Sequence, residues 1–134
     1  IRRANQKMNW MTAGIAFLLI IMVVISPWIY DIWIGQSCHV PFEMTVMTAL
    51  YIFLLILSLR YSYFLNGIGA LRLQLHMTFM AAVFIPAAWA VSTLTHNIIW
   101  FMAVMCLCNL PGIVVNIIQF NKIQNGTATG IWRK

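Results

Sequence analysis

All eight Lys and Arg residues of this chain fall at three places along a pattern of four apolar stretches. Arg2, Arg3 and Lys7 precede the first stretch, Arg60 and Arg72 bracket the junction between the second and third, and Lys122, Arg133 and Lys134 follow the fourth. The two other connections, around Gly35–Pro41 and Thr93–Asn97, hold none. Basic residues are retained on the cytoplasmic side of a membrane. The alternation therefore predicts four crossings with both termini in the cytosol. The fold class expected is all-α: an integral membrane protein of four transmembrane helices, forming one membrane domain over residues 1–134.

Composition points the same way. Of 134 residues, 63% are hydrophobic and 7% charged, against about a quarter charged in a soluble domain. A net charge of +6 would suggest nucleic acid in a soluble protein. Here basic residues anchor helix ends at anionic headgroups, and no basic face or aromatic-interleaved basic run exists to hold nucleic acid. Membrane lipids are the expected partners. Cys38, Cys106 and Cys108 form no disulfide framework. Cys106 and Cys108 are two apart, so on a helix they point to nearly opposite sides and cannot share a metal. No cofactor is implied. The basic-then-apolar opening is too long for a signal peptide, and no A-x-A cleavage site follows.

The first span is expected at about Trp10–Tyr30, with Trp10 at one interface and Trp28, Tyr30 and Trp33 at the other. Pro27 and Gly35 mark its exit. The second is expected at about Phe42–Leu65, where Pro41 and Glu43 suit a helix start. Its uncharged part, Met44–Leu59, has only 16 residues, about 24 Å of helix. The helix must therefore continue past Arg60. Asn66-Gly67-Ile68-Gly69 then reads as a tight cytosolic turn. One polar cluster, Ser92–Asn97, divides the remaining stretch into spans at about Leu73–Val91 and Ile98–Phe120. A cytoplasmic tail covers 121–134. Pro86 and Pro111 lie inside these last two spans and are hinge candidates.

Arg60 is the most unusual residue, because a guanidinium inside a span costs several kcal/mol near the bilayer centre and less toward the interface. Two readings stand: it snorkels to phosphate headgroups, or it faces a polar cavity and binds an anionic substrate through its planar fork. Asn109 and Asn116 share one helix face, flanked by Gln119. They bond neighbouring helices or line a path for sugar hydroxyls. Gln74 and His76 read as interfacial. No acidic residue lies inside a span, which argues against a carboxylate-driven antiporter such as the small multidrug exporters. No H-E-x-x-H, G-x-S-x-G or membrane carboxylate pair is present, so no enzyme is expected.

Three stretches carry a family resemblance. Pro27–Gly35 resembles the W-x-G exit of a late helix in bacterial polysaccharide flippases. Phe64–Gln74, with Asn66, Gly67, Gly69 and Arg72, is similar to their N-G-I-G-K-I-R-L-Q turn, Ala70 standing where a basic residue is usual. Leu110-Pro111-Gly112, Gln119–Lys122 and Asn125–Lys134 resemble their C-terminal end. The family is the O-antigen and capsule exporters, in the superfamily that also holds the multidrug and toxin extruders. The resemblance implies about a dozen helices in two bundles around a central cavity. It implies flipping of an undecaprenyl-pyrophosphate-linked oligosaccharide across the inner membrane by alternating access. This chain, which opens on Ile1, would supply the last four helices, with the remaining N-terminal helices as its partner. The alternative is a non-transporting four-helix subunit or scaffold of a polysaccharide-assembly complex.

Overall fold

The computed structural model describes residues 2–35 and 39–132, with side chains from Gln6 onward. Its elements are α1 (Arg2–Trp33), α2 (Phe42–Gly67), α3 (Arg72–Ala82), α4 (Phe84–Thr95), α5 (Ile98–Gln124) and a short 3-10 turn at Gly130–Trp132. No strand occurs among the described residues. Four helical spans, Gln6–Trp33, Phe42–Gly67, Arg72–Thr95 and Ile98–Gln124, are long and apolar enough to cross a membrane. The third is α3 and α4 taken together. The chain divides into two compact units, Ile1–Phe53 and Leu54–Lys134.

In the first unit, α1 runs beyond the apolar run at both ends. Residues 2–9 contain no Gly or Pro to stop it. Pro27 does not end the helix either. Its ring nitrogen cannot donate to the Val23 carbonyl, and the buried Ser26 hydroxyl donates to that carbonyl instead, at 2.8 Å. The exit falls later, at Gly35, with φ +68°. α2 starts directly after Pro41, and Thr45 Oγ1 donates to the Tyr30 hydroxyl at 3.4 Å.

The second unit begins within α2 and holds the turn Ile68–Leu71. α2 extends through Gly67, so the turn comes two residues later than the Asn-Gly pair suggests. Gly69 adopts φ +76°. Its N–H donates to Asn66 O at 3.1 Å, and Ala70 N–H donates to Leu65 O at 3.0 Å. This pair of bonds is the Schellman end of a helix, which calls for an apolar contact between the residues here numbered 65 and 70. Leu65 and Ala70 are indeed 0% and 1% exposed. Position 70 is therefore an apolar packing site, which Ala fills.

The expected third span holds as one helical stretch, Arg72–Thr95, with a tightened turn at Val83, which keeps helical dihedrals (φ −68°, ψ −26°) while its N–H reaches back to Met80 O at 3.1 Å. Pro86 has no N–H for the Ala82 carbonyl, and its ring crowds that carbonyl. The tightened turn separates α3 from α4. α4 then runs on to Thr95, because Thr93 and Thr95 donate their hydroxyls back to Ala90 O and Val91 O at 2.9 and 2.7 Å. The polar cluster shrinks to a two-residue turn, in which His96 is left-handed (φ 49°) and the Asn97 side chain caps α5 by accepting from Ile99 N–H at 2.9 Å. α5 continues through Pro111 to Gln124 and ends in a second Schellman turn, with Gly126 at φ +69° and Thr127 N–H on Lys122 O at 2.9 Å.

The buried apolar residues are Leu65, Ala70, Ala88, Cys106, Ile113 and Phe120. Phe120 meets Tyr61 and Phe64 edge-on, with ring centroids 5.4 and 4.7 Å apart. Large apolar side chains such as Phe79, Ile85, Trp89 and Leu107 point outward. This suits a chain whose backbone is satisfied within helices and whose solvent is hydrocarbon.

Candidate functional site

The second unit contains a cavity of about 350 Å³ whose polar lining comes from three helices. α2 contributes Ser58 and Ser62, α3 contributes Gln74 and Thr78, and α5 contributes Asn109, Gly112 and Asn116. The spacings explain the arrangement. Residues four apart lie on one helix face, so each helix turns a polar stripe inward from an otherwise apolar surface. Met77, Met80, Phe84, Cys108 and Pro111 complete the wall. The volume lies in the ordinary range of small-molecule sites.

Hydrogen bonds tie the polar lining together. Asn116 Nδ2 donates to Ser62 Oγ at 3.0 Å, linking α5 to α2. Gln74 Nε2 donates to Ser62 O at 3.4 Å, linking α3 to α2. Asn109 Nδ2 donates to Met105 O at 3.0 Å within α5. A primary amide carries two N–H donors and an accepting oxygen, so each of these side chains has capacity beyond the contact named. Among the described residues no Lys, Arg, Asp or Glu lines the cavity. Its chemistry is neutral donation and acceptance at close quarters, suited to hydroxyl groups.

The sequence-predicted site residues separate into groups. Asn109, Asn116 and Pro111 line the cavity together. Arg60 does not. It sits two residues from both Ser58 and Ser62, which at about 100° per residue turns it to the far side of α2. There its guanidinium carbon lies 5.2 Å from the Tyr61 ring centroid. Gln119 is likewise absent from the lining. It is 0% exposed, and its Nε2 donates to Ala70 O at 3.5 Å and Trp132 O at 3.2 Å. Pro86 is outside, though Phe84, next to the turn it disturbs, is on the wall. Asn66, Gly67, Gly69 and Arg72 are exposed at the α2–α3 junction, Gly69 within the turn and the other three on the helix ends that it joins.

Ser58, Ser62, Gln74, Thr78 and Cys108 are cavity residues that sequence reasoning did not select. Their signal was present as pairs of polar residues four apart inside apolar spans. Cys106 and Cys108 do part company as their spacing requires: Cys106 is buried and Cys108 faces the cavity. Among the described residues no group of three His, Cys, Asp or Glu gathers to hold a metal. The first unit has a smaller and more apolar groove of about 250 Å³, edged by the hydroxyls of Ser26, Tyr30, Thr45 and Thr48.

Comparison with known families, curated proteins and solved structures gives no match to this chain.

Proposed function

We propose that this chain forms part of a membrane flippase that carries lipid-linked oligosaccharide across the bacterial inner membrane, with both termini cytoplasmic. The observation that carries this reading is a neutral cavity of amides and hydroxyls inside apolar spans. Buried polar groups in a bilayer are costly unless they have partners or face a polar path. A run of uncharged donors and acceptors suits sugar hydroxyls, which need hydrogen bonds without a fixed charge. The motifs at Phe64–Gln74 and Leu110–Gly112, which resemble polysaccharide exporters, fall on the turn that starts α3 and on the cavity wall. The lipid carrier would be of the undecaprenyl-pyrophosphate type, with its chain in the bilayer. The helices of a first bundle would supply the opposite wall, and no chemistry on the substrate is required.

The breaks in helical hydrogen bonding fall beside the cavity. Pro111 lines it, and Val83 joins α3 to Phe84 on its rim. In alternating access these are the places where the wall would flex.

The test is export of surface polysaccharide in cells lacking their own flippase and expressing the full-length protein. Asn109→Ala and Thr78→Ala, at normal membrane abundance, should reduce export. Undiminished export by both would favour the alternative, a four-helix scaffold of an assembly complex whose polar residues only hold helices together.

A further inference from the structure

The tail of the second unit folds back onto the helix that precedes it, and one side chain holds it there. Gln119 on α5 donates through the same Nε2 to two backbone carbonyls, Trp132 O in the tail at 3.2 Å and Ala70 O in the α2–α3 turn at 3.5 Å. The tail is held a second time where Lys122 Nζ lies 4.0 Å from the centroid of the Trp132 ring. The 3-10 turn Gly130–Trp132 packs on both α3 and α5.

The fastening is weak for its degree of burial. Both amide bonds are longer than the usual 2.9–3.0 Å. The other end of the amide, Gln119 Oε1, is buried with no donor in reach. An unpaired buried acceptor penalises the closed arrangement and is relieved when water reaches it. Each side of the knot also ends in a glycine that permits rotation. The tail has Gly126 and Gly130 at φ +69° and +57°, and the turn has Gly69 at φ +76°.

What the knot holds is the start of α3. This helix is 11 residues long and none of them is buried. It is bounded by the Gly69 turn at one end and at the other by the tightened turn at Val83, where helical bonding is disturbed but the backbone stays helical. Yet it supplies one wall of the polar cavity, with Gln74, Met77 and Thr78. Its bond to α2, Gln74 Nε2 to Ser62 O, is itself 3.4 Å long.

We infer that the Gly130–Trp132 turn is a releasable latch: Gln119 clasps the tail and the α2–α3 turn together, and release lets α3 swing between Gly69 and Val83 to open the cavity. This concerns access to the cavity whatever passes through it, so its test contains no substrate and stands apart from the flippase reading.

Cys108 lines the cavity and Cys106, two residues away on the same helix, is buried on another side, which gives an internal reporter and its control. Two backgrounds are made in the full-length protein, one retaining Cys108 alone and one Cys106 alone, with serine at the other two positions. Reaction with N-ethylmaleimide is timed in native membranes, with and without Gln119→Leu or Trp132→Ala. Leu fills much of the space of Gln but cannot hold the carbonyls, while Trp132→Ala keeps the backbone carbonyl and removes the ring that Lys122 holds, loosening the tail at its second fastening. Both should speed Cys108 labelling about tenfold and leave Cys106 slow. Unchanged Cys108 labelling in both variants at normal abundance would overturn the latch. A parallel rise at Cys106 would also overturn it, because that is unfolding rather than opening.

Discussion

Gly69 and Gly112 allow the same substitution to be tested in two backbone settings. A Cβ built at either position meets no atom within 4 Å, so sterics with neighbours cancel and only the backbone differs. Gly112 is helical, within α5, and alanine there removes the entropic disadvantage of glycine, a gain of about 0.5–1 kcal/mol. Gly69 stands at φ +76°, where an L-residue costs roughly 1–2 kcal/mol. Gly69→Ala should therefore destabilise the second unit and Gly112→Ala should stabilise it, the two differing by roughly 1.5–3 kcal/mol. Reversible unfolding of the purified protein in mixed detergent micelles, followed by far-ultraviolet circular dichroism, reads both. Equal effects, or a stabilising Gly69→Ala, would refute the left-handed turn and the Schellman end that places Ala70 in the core.

Three further expectations follow from the same geometry. A double-mutant cycle on Ser62→Ala and Asn116→Ala should give a coupling of about 0.6 kcal/mol, the average for a hydrogen bond between membrane helices; zero coupling in unfolding experiments would remove the α2–α5 bond. Because Arg60 faces away from the cavity, Arg60→Lys should export polysaccharide as the parent does, both side chains reaching headgroups, whereas a loss of export matching Arg60→Ala would return the guanidinium to the substrate path. Cys38, which lies outside the described residues, should react with an impermeant thiol reagent applied to spheroplasts, as expected for a loop without Lys or Arg; labelling only after permeabilisation would invert the proposed orientation.

The four spans were legible because hydrophobic length and the placement of Lys and Arg are one-dimensional signals. Their ends were less so. Pro27 and Gly35 both marked the α1 exit; a neighbouring serine satisfies the carbonyl that proline abandons, so the helix runs on to Trp33 and the exit falls at Gly35. Pro86 was visible as a point of weakness; the disturbed turn lies at Val83, one residue after Ala82, whose carbonyl proline leaves without a donor. Ser92–Asn97 looked like a loop by composition, although threonine hydroxyls turned back on their own helix keep most of it helical.

The cavity was half legible. Asn109 and Asn116 share a face by spacing alone, and that face lines it. Ser58, Ser62, Gln74 and Thr78 complete the site only once three helices are brought into register, which no single helix encodes. Arg60 drew attention by its charge, but its angular offset from Ser58 and Ser62 keeps it off the wall. The role of Gln119 was hidden for a different reason: its partners, Ala70 and Trp132, are a turn and a tail distant in sequence, and both are bound through backbone carbonyls that any residue would offer.

The central claim is that the neutral cavity of the second unit is a passage for a glycan. The most direct measurement is photo-cross-linking of the full-length protein in membranes with a lipid-linked oligosaccharide carrying a photoreactive group on its sugar, followed by mass spectrometric location of the adduct. The account predicts adducts on the cavity faces of α3 and α5, within Gln74–Ala81 and Cys108–Asn116, that are lost when Gly112→Leu fills the space. Adducts confined to other surfaces, or unchanged by Gly112→Leu, would contradict it.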